Sequence, residues 1–176
     1  MRELADAERI ATLLRELGRE ADAEGVAYLT GGATAVLHGW RATTIDVDLT
    51  FEPESDRLLQ AIVRLKDELR VNVELVSPGD FIPLPDGWRD RSIFIAGHGR
   101  LSFYHFDPYA QVLAKVERAH PQDLDDVRSF VAAGLVDPTE ARRMFEKIEP
   151  KLYRFPAVDP RSFRTRVERA FGADDT

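Results

Sequence analysis

The stretch Leu29–Pro53, LTGGATAVLHGWRATTIDVDLTFEP, decides the fold. Just before and into it, VAYLT (26–30) reads as a short buried strand. Gly31 and Gly32 break that run, and GGATAVLHG fits a helix closed by Gly39. TIDVDLTF (44–51) then alternates as a strand until Pro53 stops it. Alternation predicts Asp46 and Asp48 together on one strand face, with Ile45, Val47 and Leu49 packed on the other. Two neighbouring carboxylates repel each other and resist burial unless a cation neutralises them. An isolated D-x-D is most simply an exposed polar face. Its alternative is a pair of hard oxygen ligands for Mg²⁺, an ion usually held by one or two carboxylates plus substrate phosphates. The upstream glycines favour the second reading. Between a strand and a helix, backbone N–H groups can hold a phosphate, and residues without Cβ allow close approach.

Outward from this stretch, residues 3–23 carry Leu4, Ala7, Ile10, Leu13, Leu14 and Leu17 at helical spacing, ended by Gly18 or Gly25. Ser55 caps a predicted helix running to about Leu69, with Leu58, Leu59, Ile62, Val63 and Leu65 inside. RVNVELV (70–76) alternates as another strand, and FIPLPDGWRD (81–90) reads as a loop punctuated by Pro and Gly. SIFIAGHGRLSFYHF predicts a hairpin, with strands near 92–96 and 100–105 around GHG. After Asp107-Pro108 four helical patterns follow, the first opened by Pro at its first position. The expected division is residues 1–106 as a strand-and-helix core and 107–176 as a helical portion.

The chain has 176 residues, enough for a substantial core. No apolar run approaches the length of a membrane span, and the charged N-terminus does not read as a signal peptide, so a cytoplasmic protein without a membrane partner is expected. The absence of Cys excludes disulfides, thiolate zinc sites and cysteine nucleophiles. His38, His98, His105 and His120 lack metalloprotease spacing. A net charge of −7 argues against a general nucleic-acid binder, although residues 151–169 hold six basic side chains against two acidic ones. That segment is either a solvated helix face or a phosphate contact.

In RVNVELV, Glu74 shares a strand face with Asn72. If this strand neighbours the Asp46–Asp48 strand, Glu74 is either a third acid, a base toward an acceptor hydroxyl, or a surface residue. Lys115, one of four Lys, sits at the margin of the stripe Val112, Leu113 and Val116, where it can snorkel outward or reach a phosphate. Arg41, just before the carboxylate strand, suits phosphate charge or a surface ion pair. Asp123, Asp125 and Asp126 crowd the first turn of a helix, where anions complement the dipole. Trp40 reads as core, and Tyr104, His105 and Tyr109 as core or base-stacking rings.

On these residues the chain resembles the nucleotidyltransferase superfamily with the DNA polymerase β-type palm, particularly its minimal bacterial branch of abortive-infection and toxin–antitoxin enzymes. The matches are Gly31, Gly32, Arg41, Thr43, Asp46 and Asp48, with Lys115, Asp123 and Asp126 at the family's Lys and two acids downstream. The resemblance spans about residues 26–150. Gly32 stands where many members have Ser, Gln122 replaces a Lys, and Glu74 stands where larger relatives carry Asp.

The resemblance implies an α+β fold: a small mixed sheet flanked by helices, with a C-terminal helical bundle forming a second wall. It also implies transfer of NMP from an NTP to an acceptor hydroxyl, with Mg²⁺, two ions in the fuller form, on Asp46 and Asp48. Glu74 would be third acid or base. Gly31, Gly32, Arg41, Thr43 and Lys115 would bind the nucleotide, and Asp123 or Asp126 would orient Lys115 or an Arg. A tRNA end as acceptor and a cognate antitoxin as partner follow from the branch. A non-catalytic nucleotide- or protein-binding module, or an enzyme modifying a small molecule or a protein, are the rival expectations.

Overall fold

In the computed structural model, which describes residues 3–172, strands and helices alternate over the first part of the chain. β1 (Ala5–Asp6) leads into α1 (Ala7–Glu20), whose N-terminus is capped by the Asp6 carboxylate accepting from Arg9 N–H at 2.8 Å. β2 (Gly25–Thr30), α2 (Gly31–Leu37), β3 (Thr43–Thr44), β4 (Asp46–Glu52), α3 (Asp56–Glu68) and β5 (Asn72–Leu75) follow. After α4 (Trp88–Arg91) come β6 (Ile93–His98) and β7 (Leu101–His105). Then α5 (Pro108–Arg118), α6 (Pro121–Ala132), α7 (Pro138–Ile148) and α8 (Pro160–Phe171) complete a mixed α+β fold.

Five strands form one sheet in the order β5-β4-β2-β7-β6, while β1 and β3 make a separate antiparallel pair. β4 runs antiparallel to β2 and parallel to β5; β7 runs parallel to β2 and antiparallel to β6. One sheet face carries Ala27, Leu29, Val47, Leu49, Phe51, Val73 and Phe103 into a core shared with α1, α2 and α3. The other face carries Asp46, Asp48 and Thr50 of β4 beside Tyr28 and Thr30 of β2 and Asn72 and Glu74 of β5, because directly paired residues point the same way.

Several expectations need correction. The strand expected over 44–51 is two elements, and the break leaves Ile45 71% exposed, so that of the three residues expected to pack only Val47 and Leu49 do. Val63 lies on the outer side of α3 and is exposed. Leu75, at the end of β5, is exposed as well. The hairpin turns at Gly99-Arg100 rather than around GHG, since His98 still pairs with Leu101.

Gly18 does not end α1; it is an interior contact. A Cβ there would stand 2.4 Å from His98 Cβ, and one on Gly99 (φ +58°) would stand 2.4 Å from the Gly18 carbonyl oxygen. The helix and the hairpin turn therefore meet backbone to backbone. Gly18→Ala adds a helix former yet should lower unfolding stability by about 1–3 kcal/mol, because overpacking outweighs the roughly 1 kcal/mol propensity gain. A urea titration showing unchanged or higher stability would contradict this contact.

The chain divides into two compact units. The first is the sheet unit, the chain up to Ser77 with Ser92–Phe106; the second holds Pro78–Arg91 and the chain from Asp107 onward. In the second, Arg91 donates Nε and Nη2 to the two carboxylate oxygens of fully buried Asp107 (3.1 and 2.7 Å), and Asp107 also accepts from Tyr109 N–H at the start of α5. Phe145 of α7 and Phe163 of α8 pack 4.8 Å apart.

Candidate functional site

The sheet unit gathers most of the residues singled out by sequence. Asp46 and Asp48 lie on the same face of β4, both half-buried, their backbone fixed by Val47 and Leu49 in the core. Pairing sets Asp46 opposite Asn72 and Asp48 opposite Glu74. The Asn72 amide donates to Asp46 Oδ1 and, at 3.4 Å, to Glu74 Oε1. Glu74 itself is exposed, on the edge strand of the sheet. Among the described residues, no group of three or more His, Asp or Glu is placed to hold a metal ion, so these acids do not form a cage made by protein alone.

The glycine turn closes against β4. Thr30 is paired with Asp48, and Gly31 follows in the left-handed region (φ +65°), where a Cβ would stand 2.8 Å from Asp48 Oδ2. At Gly32 a Cβ would lie 2.0 Å from Thr44 Oγ1 and 3.5 Å from Arg41 Nη1. The Ser that the resemblance leads one to expect at position 32 has no room in this arrangement. Thr44, not Thr43, is the residue pressed against the turn, and its hydroxyl donates to the Asp46 carbonyl at 3.0 Å. Thr43 pairs with Asp6 in the short antiparallel ladder.

Behind α2 stands a stack of rings that spacing did not reveal. Trp40 stacks on His38 (4.7 Å) and His38 on His105 (4.3 Å), while His105 Nδ1 lies 3.1 Å from the Thr34 hydroxyl. His105 is buried, so it offers no face to a base; Tyr104 projects to the opposite side of the sheet, opposite Tyr28. Burial, reinforced by the charge of His38, pushes the His105 imidazole down to about 3, and burial also lowers His38. The folded state thus resists a proton that the unfolded chain accepts at about 6.5. Stability from His105 is whole above pH 6.5 and declines as pH falls toward 3. Unfolding stability at pH 5 should be about 2 kcal/mol below that at pH 7.5, and His105→Phe should flatten that dependence; denaturant midpoints at both pH values test this.

The second unit holds the remaining candidates. Lys115 does not snorkel: it is 7% exposed, with Nζ 2.7 Å from Asp126 Oδ2 and 3.5 Å from Asp123 Oδ1. Arg118, one turn on, clasps both oxygens of Asp123 at 2.7 and 2.6 Å. Burial works to raise the Asp123 carboxyl, but the Arg118 hydrogen bond and the Lys115 and Arg118 charges outweigh it and hold it below its ordinary value. Asp125, between these acids, faces outward and pairs with Arg128. Arg118 was legible in principle, three positions from Lys115 on one helix face. The basic 151–169 segment is partly neutralised, since Arg164 binds Glu149 through two hydrogen bonds. Tyr109 accepts from Asp137 N–H.

Among the described residues no helix is long and apolar enough to cross a membrane. A family model described as a nucleotidyltransferase of unknown function (DUF6036) matches residues 6–165. No curated protein and no solved structure matches the chain.

Proposed function

The chain belongs to the DUF6036 nucleotidyltransferases, and from that premise we propose that it moves NMP from an NTP to an acceptor hydroxyl, with Asp46 and Asp48 as metal-binding carboxylates. The observation that carries this reading is the closure of the Gly31 turn on Asp48, beside Asp46 on the same strand face. Their chemistry fits Mg²⁺: two hard oxygen donors, without a complete protein cage, suit an ion that completes its shell with water and substrate phosphates. Bound there, Mg²⁺ would neutralise phosphate charge.

Within this reading the chain's own groups divide the work. The backbone of Gly31 and Gly32 would approach the triphosphate, in a turn whose closeness to Asp48 and Thr44 leaves no room for a Cβ. Arg41, whose guanidinium lies beside Gly32, would meet phosphate charge. Thr43 and Thr44 would hold the strand entry that orients Asp46. Glu74, exposed on the edge strand, would take the proton of the acceptor hydroxyl or complete the acidic site. Lys115, with Asp123 and Asp126, would owe any phosphate role to the resemblance alone, since within its own unit its charge is already met by two carboxylates. The acceptor proposed is a tRNA end, in keeping with the toxin-like branch, with an antitoxin as partner.

Incubation of the protein with each α-³²P-labelled NTP, Mg²⁺ and total tRNA tests the proposal, with Asp46→Ala/Asp48→Ala as control. Label entering RNA with the intact protein alone supports transfer to RNA, and that acceptor's affinity should weaken steeply with salt. Label on protein would move the acceptor class to a protein hydroxyl. Mg²⁺-dependent NTP binding without transfer to RNA, protein or small hydroxylated acceptors would replace the enzyme with a nucleotide-binding module.

A further inference from the structure

We propose that Asn72 is the positioning residue of the carboxylate site: it orients Asp46 for a divalent cation and ties it to Glu74. This rests on the reading of Asp46 and Asp48 as metal carboxylates. Parallel pairing of β4 and β5 puts Asn72 directly opposite Asp46, on the same sheet face. Its amide nitrogen donates to Asp46 Oδ1 and, more weakly, to Glu74 Oε1. A side-chain NH₂ group has two hydrogens and no lone pair to offer, so both carboxylates can meet it only as acceptors. Asp46 is then oriented with Oδ1 engaged and Oδ2 left for the cation. A group that orients a metal ligand in this way typically changes metal affinity by about 10–100-fold.

The same bridge explains why Asn, rather than a further acid, faces Asp46. An Asp at 72 would keep the shape, remove both donors and place a third negative charge beside Asp46 and Glu74. Neither Val71 nor Val73 can substitute for it, since both are buried on the opposite face.

The test is Mn²⁺ binding followed by electron paramagnetic resonance, in the presence of a non-hydrolysable NTP analogue, for the intact protein and for Asp46→Ala, Asn72→Ala, Asn72→Asp and Asn72→Ser. Thermal midpoints establish that each variant folds. Asn72→Ala should weaken Mn²⁺ binding about tenfold, with Asn72→Ser, which keeps a donor, recovering part of the loss. In turnover, Asn72→Ala should raise the Mg²⁺ concentration for half-maximal rate more than it changes the KM for NTP. Mn²⁺ binding that depends on Asp46 but stays within twofold of normal in Asn72→Ala overturns the positioning role alone. Mn²⁺ binding indifferent to Asp46→Ala overturns the metal reading, and this inference with it. Loss on Asn72→Ala with no recovery in Asn72→Ser, and an equal loss of thermal stability, overturns it in favour of a purely structural bond.

Discussion

Replacement of Lys115 by Met is expected to lower unfolding stability by about 3–5 kcal/mol, a fall of about 10 °C or more in thermal midpoint. The side chain is similar in length, so packing changes little; what disappears is the cation between Asp126 and Asp123, both nearly inaccessible to solvent. Arg118 still neutralises Asp123, but Asp126 loses the ammonium that stands 2.7 Å from its Oδ2. Removing one partner of a buried ion pair leaves the other charge buried without that partner, and that is the costly event rather than loss of the pair itself. It follows that Lys115→Met/Asp126→Leu should recover much of the loss, and Lys115→Arg should fall between. Urea unfolding followed by circular dichroism decides it. A single Met variant within about 1 kcal/mol of normal would mean that the fold does not depend on the Lys115 cation beside Asp126. The result also governs any kinetic use of Lys115, because a weakened NTP affinity in this variant has to be separated from partial unfolding.

The second large effect is in catalysis. Under the proposed function, Asp48→Asn should reduce nucleotidyl transfer on the order of a thousandfold or more, about 4 kcal/mol of transition-state stabilisation. Stability should stay level or rise, because a neutral amide removes the repulsion between neighbouring carboxylates. Loss of activity with equal or higher thermal midpoint is the signature of a residue kept for chemistry at some cost to the fold. Transfer at full rate by Asp48→Asn would remove the metal role. The nearby Gly31 makes Asn the better test than a larger residue, since even a Cβ on Gly31 would stand 2.8 Å from Oδ2.

Much of the sheet unit was legible because its strands alternate and α3 carries its own cap. Ser55 accepts from Leu58 N–H at the start of α3, as its position suggested. Period two placed Asp46 with Asp48 and Asn72 with Glu74, but it could not say which strand lies beside which. Only the pairing of β4 with β5 brings Asn72 to Asp46. Lys115 shows the opposite limit: a marginal helical position leaves its environment open, and the acids eight and eleven residues away close it. Ile45 and Leu75 stand out of the core because strand ends and breaks escape the alternation rule. The Trp40–His38–His105 stack joins a helix end to a strand far along the chain, a relation no local pattern encodes.

The segment Pro78–Arg91 belongs with the helical unit although it lies in sequence between two strands of the sheet unit. The polypeptide therefore crosses from one unit to the other three times, and no single cut yields either unit whole. A fragment ending at Phe106 would carry Arg91 without Asp107, and buried Ile82 without the helix α5 that its segment packs against. A fragment beginning at Asp107 would leave that carboxylate without its guanidinium. The two pieces have instead the character of a split protein: each incomplete alone, and each carrying what the other needs for reassembly.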